Sequence, residues 1–194
     1  MAASSSITRS SYQLPAVSSM VEAHPMTLKL YDATIPVFIQ SLGNLEVWMK
    51  KALSEGISET AIFEARLAPD MLPFPGQIQR ASDTAKNAVA RLAGIAAPSM
   101  PDTEQSVAEL KARCQRTINY LRSIDRLDFD GAENRSILFP YPKLGTLQFD
   151  GVAYVTGYAL PNFFFHVTTA YALLRANGAA LGKADFLRHL AASQ

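Results

Sequence analysis

What this chain lacks narrows it first. Its 194 residues include one cysteine, Cys114, so no internal disulfide and no CxxC redox or zinc pattern can form. A lone thiol fits a reducing compartment. Histidine is almost as scarce, with only His24, His166 and His189. Lys plus Arg number 18 and Asp plus Glu 17, a formal charge of +1. That balance offers no basic excess to hold nucleic acid and no acidic tail for a basic partner. The longest apolar runs fall short of the roughly 20 residues that cross a bilayer, so an integral membrane protein is excluded. A glycine-rich phosphate loop is missing too, and no flavin or pyridoxal motif replaces it, so no cofactor is expected.

The opening 25 residues, MAASSSITRSSYQLPAVSSMVEAHP, are rich in Ser and Ala and carry one Arg and one acidic residue, Glu22. They have no apolar h-region for secretion. A mitochondrial transit peptide shares the Ser-rich, acid-poor look but brings several arginines on an amphipathic helix. The segment therefore reads as a disordered tail over 1–25, or as an upstream start with Met26 opening a single domain over 26–194. A cytoplasmic location is expected, with mitochondrial targeting kept as the alternative.

What is present is helical rhythm. Tyr31, Ile35, Phe38, Leu42, Leu45, Met49 and Ala52 are spaced alternately four and three, one stripe of a long first helix that contains Pro36 and stops at Ser54–Gly56. A short helix capped by Ser58 follows, and Pro69, Pro73 and Pro75 force an extended excursion. Ile78, Ala81, Ala85, Val89 and Leu92 mark a second long helix from about Gln77, closed by Gly94. A third begins at Asp102, with Gln105 completing a capping box, and carries Val107, Leu110, Cys114, Ile118, Leu121 and Ile124. Residues 136–157 lose the 3.6-residue period and read as an irregular hairpin or lid. Pro161 suits the first turn of a fourth helix ending at Arg175 and capped by Asn177-Gly178, and LGKADFLRHL makes a short terminal helix. The sum is a mainly α protein, a four-helix bundle whose functional centre combines the fourth helix with one of the others.

His166 stands among three phenylalanines, with Asn162 four residues earlier on the same helix face. The ordinary reading is a part-buried histidine satisfied by a neighbour. The sharper one is an acid/base or a remnant metal ligand. A zinc centre asks for three or four N or S ligands, and the other histidines lie in the tail and near the C-terminus. Asp70 and Asp83 flank the start of the second helix and could orient an imidazole, although a turn residue and a solvated face explain them as well. Cys114 lies on an apolar stripe as a small hydrophobe. Lys183 and Asp185 read as a helix-terminus or ion-pair feature rather than a catalytic pair. Tyr154, Tyr158 and Phe163 to Phe165, with Trp48, make an aromatic-rich end. Three consecutive phenylalanines cannot share one core, since each step turns about 100°, so one of them meets the lid, a pocket or a second subunit.

The segments RLAPDMLPFPGQIQRASDTAKNAVARLAG, LPNFFFHVTTAYALLRANG and LGKADFL together resemble the family called domain of unknown function nineteen-ninety-three, in the DinB/YfiT-like superfamily, over about Met26 to Leu190. The resemblance implies an up-down-down-up bundle with a long connection between its second and third helices, and a habit of forming homodimers. It implies also that metal-binding members join one histidine early in helix two to an HxxxH pair on helix four. Nine residues before Arg175, His166 falls on the second of that pair and Asn162 on the first, and the helix-two position falls near Gln79, with Gln77 beside it. Amide oxygens are poor ligands for zinc or nickel beside imidazole, so no metal is expected.

Two functions stay in play. One is a small-molecule-binding or interaction protein with a degenerate metal site, its ligand meeting Gln79, Phe163, Tyr158 and Trp48. The other is a cofactor-independent isomerase or lyase with His166 as acid/base and Asn162 as hydrogen-bond donor.

Overall fold

The computed structural model describes residues 28–141, 144–188 and 190. The expected tail over 1–25, the alternative start at Met26, and both His24 and His189 lie outside the described residues.

Helix α1, Leu30–Ser54, passes through Pro36, which is exposed, and buries Ile35, Phe38, Leu42, Leu45, Trp48, Met49 and Ala52. Helix α2, Glu59–Glu64, is capped as expected, with the Ser58 hydroxyl accepting from Ala61 N at 3.2 Å. Helix α3, Phe74–Ala93, starts earlier than the apolar stripe suggests. Pro75 sits in its first turn, where the missing N–H has no intrahelical partner to lose. Gly94, at φ 70°, ends it in the left-handed conformation that a glycine adopts without strain.

Helix α4, Val107–Arg122, begins later than expected. Ser106, not Asp102, is the cap, accepting from Glu109 N at 3.2 Å, because Asp102 is drawn instead into ion pairs with Arg80 and Arg113. The irregular segment contains an antiparallel hairpin, β1 Ile137–Tyr141 with β2 Gly145–Phe149, in which Ile137 faces Phe149 and Tyr141 faces Gly145.

The fourth helix enters before Pro161. Helix α5, Gly151–Tyr154, is capped by Asp150, whose side chain accepts from Ala153 N at 2.7 Å. It runs through a π turn, Val155–Ala159, into α6, Leu160–Ala176. The reason is local. A proline inside a helix removes one hydrogen bond and crowds the turn before it, and a π turn at that place absorbs both effects. Helix α7, Lys183–Phe186, is the last helix with a described range, followed by a turn at 187–188.

Contacts fix the helix directions. Phe38 meets Phe163 and Trp48 meets Tyr171, so α1 and α6 run parallel. Gln77 meets His166 and Arg91 meets Tyr154, so α3 runs against α6. The crossover returns to the start of α3, where Glu104 accepts from Gln79 at 3.0 Å, and α4 then runs beside α3, with Ser82 and Thr117 hydroxyls 2.7 Å apart. The result is up-down-down-up around one core, with α4 and α6 each packed on α1 and α3, which also touch each other. Burying each large apolar side chain there contributes about 1.5–3 kcal/mol.

The start of α5 docks through a close approach to the turn at Ala132. A Cβ at Gly151 would run into the Ala132 carbonyl and crowd Leu30, whereas one at Gly43 on α1 would meet nothing within 4 Å. Gly151→Ala is therefore expected to destabilise by about 2 kcal/mol or more, and Gly43→Ala to stabilise by about 0.5–1 kcal/mol. Thermal or urea unfolding of the two variants checks this, and equal effects would contradict the packing described.

Candidate functional site

Gln77, Arg80, Thr84, Asn87 and Arg91 follow one another on α3 at steps of three and four, a polar stripe beside the apolar one. Opposite them Tyr154, Tyr158, Asn162 and His166 recur every four residues. On a regular helix a four-residue step overshoots one turn by about 40°. The wider winding of the π turn takes up part of that drift at Tyr154 and Tyr158. The two stripes meet antiparallel, and Phe139 from β1 covers one end. Between them lies a cleft of about 210 Å³ lined by ten residues, Asp83 among them.

His166 is 9% exposed. The Gln77 amide N–H donates to Leu72 O at 2.9 Å, which turns its Oε1 toward the ring, 2.8 Å from His166 Nδ1. An amide oxygen only accepts, so Nδ1 carries the proton and donates. Nε2 is then a bare lone pair, without a partner among the described residues, on a ring that lines the cleft. Burial, helped by the positive charge of Arg80, pushes the His166 pKa down to about 4. Asn162 Nδ2 donates to the Thr84 hydroxyl at 2.8 Å, and that hydroxyl donates to Arg80 O at 2.7 Å.

The charges of the cleft are unevenly matched. Asp83 is held by Arg113 at 2.9 Å, Lys86 at 3.2 Å and Arg80 at 3.7 Å, and Arg80 also reaches Asp102. Arg91 lies over the Phe139 ring at 5.0 Å and donates to the Tyr154 hydroxyl at 3.1 Å. It has no carboxylate partner among the described residues.

Of the residues singled out from sequence, His166, Asn162, Tyr154, Tyr158 and Asp83 line this cleft, and Gln77 stands behind His166. Three of the four expected ligand contacts do not converge on it. Gln79 points the other way, to Glu104. Phe163 is fully buried against Phe38. Trp48 is fully buried near the end of α1, its indole N–H donating to Asp185 O at 3.3 Å. Asp70 is exposed, and Cys114 is buried with its thiol pKa raised by desolvation. Asp185 Oδ2 accepts from Gly182 N at 2.7 Å, the helix-terminus one of the two roles read from sequence. The three phenylalanines part as their geometry requires: Phe163 inward, Phe164 half-buried, and Phe165 out at 54% exposure. Arg80, Thr84, Asn87, Arg91 and Phe139 were not singled out. The signal for the first four was the polar stripe on α3, at the same spacing as the apolar one.

The metal positions implied by the resemblance are filled by an imidazole and two amides, with Gln77 rather than Gln79 on the helix-two side. Gln77 is spent on Nδ1 and Leu72, and Asn162 on Thr84. No group of three or more His, Cys, Asp or Glu side chains placed to hold a metal ion occurs among the described residues. This donor set does not fit a divalent transition ion.

Bundle direction, crossover and the placement of the helix-four histidine define a DinB-like helical bundle. The profile of the domain of unknown function DUF1993 matches residues 30–187, and the chain belongs to that family. Its fold is similar to that of a DinB family member protein from Shewanella denitrificans known from a crystal structure. The two are 36% identical with a TM-score of 0.75, over 81% of this chain and 91% of the other. No curated protein matches the chain. No helix among the described residues is long and apolar enough to cross a membrane.

An unfolded histidine titrates near 6.5, whereas His166 stays neutral down to about pH 4 in the folded protein. Its contribution to stability is thus fully present above about pH 6.5 and is lost as pH falls toward 4. The His166 ring resonances are expected to titrate with a midpoint near 4. In Gln77→Glu a carboxylate beside Nδ1–H favours the imidazolium, so the midpoint should rise by about one unit or more. An NMR titration of both proteins is the check, and a wild-type midpoint near 6.5 would contradict the burial described.

Proposed function

We propose that the protein binds a small organic molecule in the cleft between α3 and α6, and that it has exchanged the metal ligands of its superfamily for a hydrogen-bonded seam. One observation carries this reading: His166 lines the cleft with Nδ1 held by the protein and Nε2 without a partner among the described residues. A purely structural histidine of this burial would have both nitrogens engaged or be sealed from solvent. The surroundings support it as well, since hydroxyl, amide and guanidinium groups line a recess whose walls include Phe139, Tyr154 and Tyr158.

Binding is favoured over catalysis by the acid/base inventory. An imidazole at about 4 accepts a hydrogen bond well and a proton poorly at neutral pH. Asp83, the carboxylate of the cleft, is committed to cations. Burial raises the phenol pKa of both Tyr154 and Tyr158, which keeps them protonated.

The second reading, a cofactor-independent isomerase or lyase, draws on the same free Nε2. It requires a ligand that raises the His166 pKa on binding and places a carbon or hydroxyl within hydrogen-bond reach.

A metabolite screen by ligand-observed NMR against wild type and His166→Ala, with each hit followed for turnover, separates the two. Compounds that bind wild type, bind His166→Ala about five- to tenfold more weakly and are recovered unchanged are the expected result. Turnover by wild type that disappears in the variant would favour the enzyme. Absence of any binder would end the proposal. Elemental analysis of protein purified without a metal-charged resin is expected to find less than one transition metal ion per chain.

A further inference from the structure

Resting on the reading that the cleft takes a small molecule, we infer that its ligand is an organic carboxylate, received by Arg91 at the hairpin end. Arg91 stands in the last turn of α3 with its guanidinium over two rings, Phe139 at 5.0 Å and Tyr154 at 5.9 Å. The Tyr154 hydroxyl takes one of its N–H groups. Those contacts fix the guanidinium in place and leave most of its five donors unused, the arrangement in which an arginine grips a planar carboxylate with two parallel hydrogen bonds.

The other arginines along this side of α3 are spent on carboxylates. Arg80 is paired with Asp102 and Asp83, and Arg113, packed behind them from α4, with Asp83, Asp102 and Glu104. Arg91 lines the same cleft as Arg80 and has no acidic partner among the described residues. Asp83, the cleft's own carboxylate, cannot take that place because three cations already hold it.

The charge of the ligand follows from the same end of the cleft. One arginine at the C-terminal end of a helix, where the helix dipole is negative, suits a single negative charge better than a phosphate dianion. Toward the other end the ligand meets Asn87, Thr84 and Asn162, and then a His166 nitrogen that accepts hydrogen bonds and cannot donate one. A hydroxyl or N–H distal to the carboxylate completes the complement. A short hydroxy or amino acid on a flat or apolar body has this chemistry.

Matched acid and amide pairs test it: lactate with lactamide, benzoate with benzamide, mandelate with mandelamide. Each is titrated to millimolar concentration into the nitrogen-15-labelled full chain, with Arg91 Nε–H and the backbone amides of Phe139 and Tyr158 as reporters. At least one acid is expected to bind about tenfold more tightly than its amide, the factor a charged hydrogen-bonded pair supplies over a neutral one. Arg91→Gln should remove that preference by weakening the acid far more than the amide, and Arg91→Lys should keep part of it. Acids and amides shifting the reporters equally would overturn the carboxylate and leave the small-molecule reading standing. Acids that shift no cleft reporter would overturn it too, and if the amides are also silent, with no hit in the metabolite screen, the broader reading falls with it. Should Arg91→Gln not fold, the wild-type acid–amide comparison and Arg91→Lys decide the matter.

Discussion

A fully buried guanidinium sets the terms for the rest of this bundle. Arg113 on α4 is inaccessible to solvent, and a charge so placed is tolerable only when anions and carbonyls surround it. It draws Asp83 from α3, Asp102 and Glu104 from the crossover, and the Pro101 and Met100 carbonyls into one cluster. The cluster pins the long connection to the start of α3, which allows two consecutive helices to lie parallel. Removing one member would leave the others as uncompensated buried charge, at a cost of about 3–5 kcal/mol.

The candidate site inherits its character from that arrangement. With α4 occupying one flank of α3, the stripe from Gln77 to Arg91 is left to face α6, which runs antiparallel to it. Because Arg113 and Lys86 neutralise Asp83 from behind, the cleft is not acidic, and Arg91 keeps its charge unspent. The Gln77 amide then does two things at once. It joins the turn before α3 through Leu72, and it fixes the His166 tautomer. The imidazole is thereby held as a hydrogen-bond acceptor in a recess otherwise rich in donors.

Much of the fold was legible because it rests on periodic burial. The stripes on the first, second and third helices are buried where the spacing placed them, Tyr31 alone only in part, and Ser58, Gly94 and Gly178 act as the expected punctuation. The misplaced boundaries have local causes. Asp102 looked like a helix cap because capping and ion pairing use the same carboxylate, and here the buried Arg113 won it. Pro161 looked like a helix start because a π turn has no sequence period of its own. The candidate site was half legible: His166 and Asn162 stood out by rarity and spacing. Arg80, Thr84, Asn87 and Arg91 hid among residues that ordinarily coat a solvated face, and only the antiparallel pairing of α3 with α6 makes them neighbours of a histidine. Gln77 and Gln79 could not be told apart by residue type. Rotation decides it, since two positions on a helix turn about 200°, sending one to His166 and the other to Glu104.

The account turns on one proton: Nδ1 of His166 bears it and Nε2 offers a lone pair to the cleft. The nitrogen-15 chemical shifts of the His166 ring at neutral pH report this directly. The structure predicts a protonated, pyrrole-like Nδ1 and a bare, pyridine-like Nε2. A protonated Nε2 with a bare Nδ1 would mean that the Gln77 amide is turned about and donates to the ring, and that the cleft presents no acceptor at its inner end. That result would contradict the binding site described for this protein.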